Sequence, residues 1–170
     1  YRVRDLPGLD EAADWLRRNR PAHYTPGIMH CDYQFANVMY AHGAPAKLVA
    51  IIDWEMTTIG DPLLDLAWVL LGYDGENPRT QGYYADLAGM PTRSELLERY
   101  EQVSGLSTEN IDYCLVLANW KLGIVLEKTY AASVTGDRVD PKIAAAMGPM
   151  IPQLISAAAE LARSLPGKGG

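Results

Sequence analysis

The chain has 170 residues, of which 48% are apolar and 21% charged, enough to bury a core in one globular domain and unlike a disordered chain. Its net charge of -6 argues against a nucleic-acid binder, which usually carries a basic face, and its two cysteines are too few for a disulfide framework and fit a reducing, cytoplasmic setting. No apolar run reaches the roughly 18 residues of a membrane span, and the first residues lack the apolar stretch of a signal peptide.

Residues 9–20 are predicted as a helix. Leu9, Ala12, Ala13 and Leu16 keep helical spacing, Asp10 and Glu11 lie at its start, and Arg17, Arg18 and Arg20 lie at its end. Pro21 stops it. A polar loop from His30 to Asn37 follows. Val38–Tyr40 and Leu48–Ile52 read as strands of one small hairpin around the turn at Ala41 to Pro45.

Asp61 as N-cap and Pro62 as first helical residue open a helix to about Leu71. Residues 73–91 are rich in glycine and proline and read as a long loop. Thr92 and Glu95 form a capping box for a helix to Ser104, stopped by Gly105. A longer helix spans Glu109 to Val134, with Ile111, Leu115, Ala118, Leu122 and Val125 at helical spacing. The last helix runs from Pro141 to Leu165, with a bend expected near Pro149 and Pro152. The expected class is α+β, mainly α, with one domain over residues 1–165 and a flexible tail at 166–170.

The chemistry concentrates between His30 and Asp65. The loop HCDYQFANVMY offers His30, Asp32 and Asn37, and the second strand of the hairpin ends in Asp53. Two carboxylates and a carboxamide at the ends of one hairpin can converge on a point. Oxygen ligands of this kind suit Mg²⁺, which completes its shell with water and phosphate oxygens. A carboxylate left over beside such a cation can accept a proton from a hydroxyl. Geometry and residue type together point to phosphate chemistry.

The pattern H-x-D-x-x-x-x-N, followed by I-D-W-E and G-D-P-x-x-D-L-A, resembles the C-terminal lobe of the aminoglycoside phosphotransferase and choline kinase-like family, whose fold is that of the protein kinases. Within it, the chain is similar to bacterial phosphotransferase-like proteins and to kinase-like domains associated with acyl-CoA dehydrogenases. The resemblance implies helices around a small β-hairpin that carries the catalytic loop and the metal aspartate. It implies that Asp32 is the catalytic base and that Asn37 and Asp53 bind Mg²⁺ under the phosphates of ATP. His30 and Asp65 would hold the catalytic loop, and Asp61 would cap the next helix. Cys31 departs from the family pattern, which has glycine between the histidine and the aspartate.

Such an enzyme also needs an N-terminal lobe, with a loop over the phosphates and a strand lysine. Neither is found in this sequence, which starts without Met, so the chain is expected to be a piece of a longer protein and inactive alone. The expected function is the catalytic lobe of an ATP-dependent small-molecule O-phosphotransferase. The alternative is a kinase-like lobe that binds a ligand or partner without catalysis. Candidates for the acceptor side are Glu55, Tyr73, Tyr83, Tyr84, Trp120 and Glu127.

Overall fold

The structure is a computed structural model that describes residues 4–71, 90–135 and 140–166. Most of the expected loop at 73–91 and nearly all of the tail lie outside the described residues. In chain order the elements are α1 (Leu9–Arg18), β1 (Gly27–Met29), β2 (Val38–Tyr40), β3 (Leu48–Ile51), β4 (Thr58–Gly60), α2 (Leu63–Leu70), α3 (Arg93–Ser104), α4 (Ile111–Thr135) and α5 (Pro141–Ser164). Single 3-10 turns lie at Phe35–Asn37 and Trp54–Met56. This is the expected class, mainly helical with small antiparallel sheets. The chain divides into two compact units, Tyr1–Ala22 with Asp112–Gly170, and His23–Ile111. No described helix is long and apolar enough to cross a membrane.

The first unit is helical. α1 buries Ala12, Ala13 and Leu16, the stripe its spacing predicts. It ends at Arg18, two residues before the expected boundary, because the Asn19 side chain donates to the Trp15 carbonyl at 2.8 Å and closes the last turn. Ala12 and Leu16 pack with Val116 of α4 and with Ala158 and Ala162 of α5. Small residues at these crossings let the helix backbones approach closely. Trp15 stacks on Tyr113 with ring centroids 6.1 Å apart. A second cluster joins Leu6 to Ile151 and Ile155. α5 begins at Pro141 with Asp140 as its cap, and its helical assignment continues through Pro149 and Pro152.

Arg4 ties the entering segment to this unit. Its Nε and Nη2 donate to Oε2 of Glu127 at 3.2 and 3.1 Å, and its Nη1 donates to the Gly148 carbonyl at 2.8 Å. The guanidinium also lies 4.0 Å over the Tyr130 ring. Glu127 is only 4% exposed, so this pairing is what makes its charge tolerable in the interior.

The second unit contains the expected hairpin. β2 and β3 pair antiparallel, Val38 opposite Ile51, with an irregularity at Met39 and Tyr40. A second antiparallel pair was not expected from the sequence. β1 and β4 align Gly27 with Gly60, Ile28 with Ile59 and Met29 with Thr58. Each strand is three residues long and carries a glycine, too short for an alternation to register. Space favours glycine at Gly27, where a Cβ would lie 2.7 Å from the Pro62 ring; at Gly60 a Cβ would meet the flexible end of the Met29 side chain, which can shift. Ile28 and Ile59 are 65% and 68% exposed, so the opposite face of this ribbon is open.

α2 begins beyond Pro62, and Asp61 Oδ1 accepts the Leu63 N–H at 3.0 Å. Its buried side chains are Leu63, Leu64, Ala67, Trp68 and Leu70. α3 opens with the predicted capping box: Thr92 Oγ1 accepts from Glu95 N, and Glu95 Oε2 accepts from Thr92 N at 2.7 Å. It closes on Gly105 in the left-handed conformation, φ 71°.

The Thr92 backbone N–H, and secondarily its hydroxyl, hold the Glu95 carboxyl below its ordinary range; the Thr108 hydroxyl and then its N–H do the same for Glu101. A depressed carboxyl pKa adds stability above the unfolded-state value, and that stability is lost as pH falls through the folded-state value. Thr92→Ala is therefore expected to lower the thermal midpoint more near neutral pH than at about pH 2, where the carboxylate partner is already protonated. Scanning calorimetry of both chains at the two pH values checks this. A deficit independent of pH would show that the bond from the Thr92 hydroxyl to the Glu95 carboxylate contributes nothing.

Candidate functional site

The loop from His30 to Asn37 connects β1 to β2. Asp65, in the first turn of α2, receives its backbone. Oδ2 accepts the His30 N–H at 2.6 Å and Oδ1 accepts the Cys31 N–H at 2.8 Å. Two short, charge-assisted bonds to one carboxylate fix the start of the loop on the helix. His30 is 2% exposed. Its Nε2 bonds the Ile52 carbonyl at 2.8 Å, and its Nδ1 accepts the Asp32 N–H at 3.3 Å. The two partners assign the tautomer, with the proton on Nε2. His30 thereby joins the loop to the end of β3, one residue before Asp53. Its ring lies 4.7 Å from that of Trp54, which is 46% exposed, whereas Trp68 is buried. Burial pushes the Tyr33 hydroxyl up, with Tyr40 and Asp65 adding to it.

Cys31 has φ 66°, in the left-handed region that favours glycine, and its side chain is buried. This gives a physical reason for glycine at the position in the family pattern. A non-glycine residue held there costs on the order of 1 kcal/mol or more. Cys31→Gly relieves that strain and loses a buried thiol and some chain rigidity, so its stability is expected to stay within about 1 kcal/mol of the original. Cys31→Val puts a β-branched side chain at the same dihedral and is expected to cost roughly 2 kcal/mol or more. Urea midpoints of the three chains measure this. Equal midpoints for valine and glycine would refute the strain.

Asp32 is half-buried and surrounded by amide donors. Gln34 Nε2 lies 3.1 Å from Oδ1 and 3.2 Å from Oδ2. Asn37 Nδ2 donates to Oδ2 at 3.0 Å and to the Asp32 carbonyl at 2.8 Å. Asn37 is buried at the end of the 3-10 turn, and its carbonyl accepts the Ile52 N–H at 2.9 Å, so loop and strand meet again. Gln34 was not singled out from the sequence. It lies two positions after Asp32, and no spacing rule marks it.

Asp53 follows β3 with φ 65° and ψ 57°, and its exposed carboxylate makes no hydrogen bond or ion pair to a described residue. Aspartate tolerates this conformation better than most residues. Glu55 lies in the next 3-10 turn and is also exposed. The donor set fits Mg²⁺ chemically. Asn37 has its Nδ2 committed to Asp32, which leaves Oδ1 as the atom it can offer a cation, and Asp53 offers carboxylate oxygens. Among the described residues, no three His, Cys, Asp or Glu side chains form a metal-holding group by themselves.

The other candidates are placed as follows. Trp120 of α4 donates from Nε1 to the Leu9 carbonyl at 3.1 Å. Glu127 is held by Arg4 through Oε2, and its buried Oε1 has no hydrogen-bond partner among the described residues. Both belong to the first unit. Tyr73, Tyr83 and Tyr84 lie outside the described residues.

The model of the phosphotransferase enzyme family, APH, matches residues 2–102, and the chain belongs to this family. Human acyl-CoA dehydrogenase family member 11 is 30% identical over 141 residues, which are 78% of this chain and 18% of that protein. The mouse family member 10 is 26% identical over 137 residues, 77% of this chain and 13% of that protein. A crystal structure from Ralstonia eutropha JMP134, provisionally described as an aminoglycoside phosphotransferase, matches with a TM-score of 0.82 at 23% identity. That match covers 95% of this chain and 50% of the other, and shows the fold. The chain therefore spans less than a fifth of these curated relatives.

Proposed function

We propose that the chain is the C-terminal, catalytic lobe of an ATP-dependent phosphotransferase that phosphorylates a hydroxyl group of a small molecule. One observation carries this reading. A half-buried carboxylate, Asp32, is held by the side chain of Asn37, whose remaining oxygen suits a cation, while His30 links the same loop to the strand that ends in Asp53. In this reading Asp32 takes the proton from the acceptor hydroxyl. The acceptor oxygen bonds the γ-phosphorus as the bond to the bridging oxygen of ADP breaks. Asn37 and Asp53 hold Mg²⁺, which when bound neutralises charge on the phosphate oxygens. His30 and Asp65 keep the loop in place, and Asp61 caps the helix that carries Asp65.

The rest of the machinery, which grips the nucleotide, would lie in a further part of the polypeptide. The 170-residue chain by itself is expected to bind Mg²⁺ weakly and to transfer no phosphate. Glu55 is the described acceptor-side candidate nearest in sequence to Asp53. Trp120 and Glu127 remain candidates on α4. The experiment is a phosphate-transfer screen of the intact polypeptide with ATP and Mg²⁺ over a library of hydroxyl compounds. Transfer that Asp32→Asn abolishes supports the reading. A wild-type protein inactive on every acceptor, water included, refutes it.

A lobe that binds a ligand or partner without catalysis is the second reading. It is favoured by the strained Cys31 in the middle of the loop. The intact set of Asp32, Asn37 and Asp53 weighs against it, since binding alone needs no such set.

A further inference from the structure

The contacts of Asp32 are unequal on its two oxygens. A carboxylate offers about four acceptor positions, two on each oxygen. Among the described residues, Oδ2 receives both Asn37 Nδ2 at 3.0 Å and Gln34 Nε2 at 3.2 Å, whereas Oδ1 receives only the shared Gln34 contact at 3.1 Å. The torsion that turns an aspartate carboxylate is broad and roughly two-fold, so a single contact on one oxygen leaves it free to swing. The Gln34 amide spans both oxygens and removes that freedom. We propose that Gln34 is a positioning residue: together with Asn37 it locks the rotation of the Asp32 carboxylate, so that Oδ1 is the oxygen that accepts the proton of the acceptor hydroxyl.

This inference rests on the phosphotransferase reading above. The Gln34 side chain is separable from the loop's main chain, because the bond from Asn37 N to the Gln34 carbonyl at 2.9 Å survives any substitution. Gln34→Met keeps the length of the side chain and removes only the amide. Proton transfer needs the base within hydrogen-bond reach, and a small misplacement has a large kinetic effect.

Two measurements test it. In the intact polypeptide, phosphate release from ATP and Mg²⁺ with water as acceptor gives kcat and KM. Gln34→Met is expected to lower kcat about tenfold and leave KM for ATP within about twofold, because the lost contact acts on the base and not on the nucleotide. Added to Asp32→Asn, the same substitution is expected to change the residual rate by less than about twofold. Equal slowing in both backgrounds would show a general structural effect and overturn the proposal. The second measurement needs no activity. In the ¹⁵N-labelled chain, the Gln34 side-chain amide resonances are expected to move when Asp32 is replaced by alanine. Unmoved resonances mean the contact does not exist and overturn the proposal whatever the kinetics. Resonances that move in a protein that transfers phosphate to no acceptor, water included, overturn the proton-acceptor role together with the phosphotransferase reading, while locating the failure in the function and not in the contact.

Discussion

Asp65→Ala is expected to destabilise the second unit by about 3–5 kcal/mol and to eliminate phosphate transfer in the intact protein. The Asp65 carboxylate accepts the N–H groups of His30 and Cys31 at 2.6 and 2.8 Å, each a hydrogen bond to a charged acceptor. Such bonds contribute roughly 1.5–3 kcal/mol each, and alanine leaves both donors buried without a partner. Cys31 also sits at φ 66°, a dihedral the chain holds only because neighbouring contacts impose it. Losing its N–H contact lets the residue relax and carries Asp32 with it. Asp65→Asn is the finer variant. One of its atoms becomes a donor facing a donor, so it is expected to lose about half as much. Denaturant unfolding of the three chains, with the kinetics beside it, decides the matter. Full stability in the alanine variant would mean that the loop is held by something else.

Asp32→Asn is expected to lower phosphate transfer by about 10²- to 10⁴-fold, the range that positioned general bases contribute, with nucleotide affinity nearly unchanged. The amide keeps the shape and most of the contacts of the carboxylate, but it cannot accept a proton in the reaction. Asp53→Ala should behave differently. It removes an exposed carboxylate with no partner of its own among the described residues, and it is expected to weaken binding of the Mg²⁺–nucleotide complex as well as turnover. Equilibrium binding and single-turnover rates separate the two effects. Equal loss of binding in both variants would remove the distinction between base and metal ligand.

The helices were readable because punctuation marks them. Asp61-Pro62, Thr92 with Glu95, Gly105 and Pro141 lie at or within two residues of the observed ends. The β1–β4 ribbon was not readable. It is defined by pairing between residues about thirty apart in sequence, and three-residue strands with glycine at one end carry no period. The residues of the loop were visible, since His30, Asp32, Asn37 and Asp53 stand at recognisable spacing. Their geometry was not. Nothing in the sequence tells that Gln34 reaches both oxygens of Asp32, or that the His30 ring bridges Ile52 to Asp32. Those contacts depend on where a hairpin returns, which is a tertiary property. The departure at Cys31 was visible as well, and the structure gives its physical content, since Cys31 occupies the left-handed region that favours glycine.

The division of the chain has a consequence for its synthesis. α1 belongs to the same unit as α4 and α5, yet all of His23–Ile111 is translated between them. Arg163 donates to Glu11 at 2.7 Å across 152 positions of sequence. At ribosomal speeds of about 5–20 residues per second, α1 waits on the order of ten seconds for the helix it packs against. During that interval the inserted unit can complete its own hydrogen bonds, while the alanine face of α1 stays wet. α1 is thus made well before α5 and reaches its native place only after it, and a ribosome stalled before α5 leaves the loop from His30 to Asn37 formed while α1 still lacks its partner.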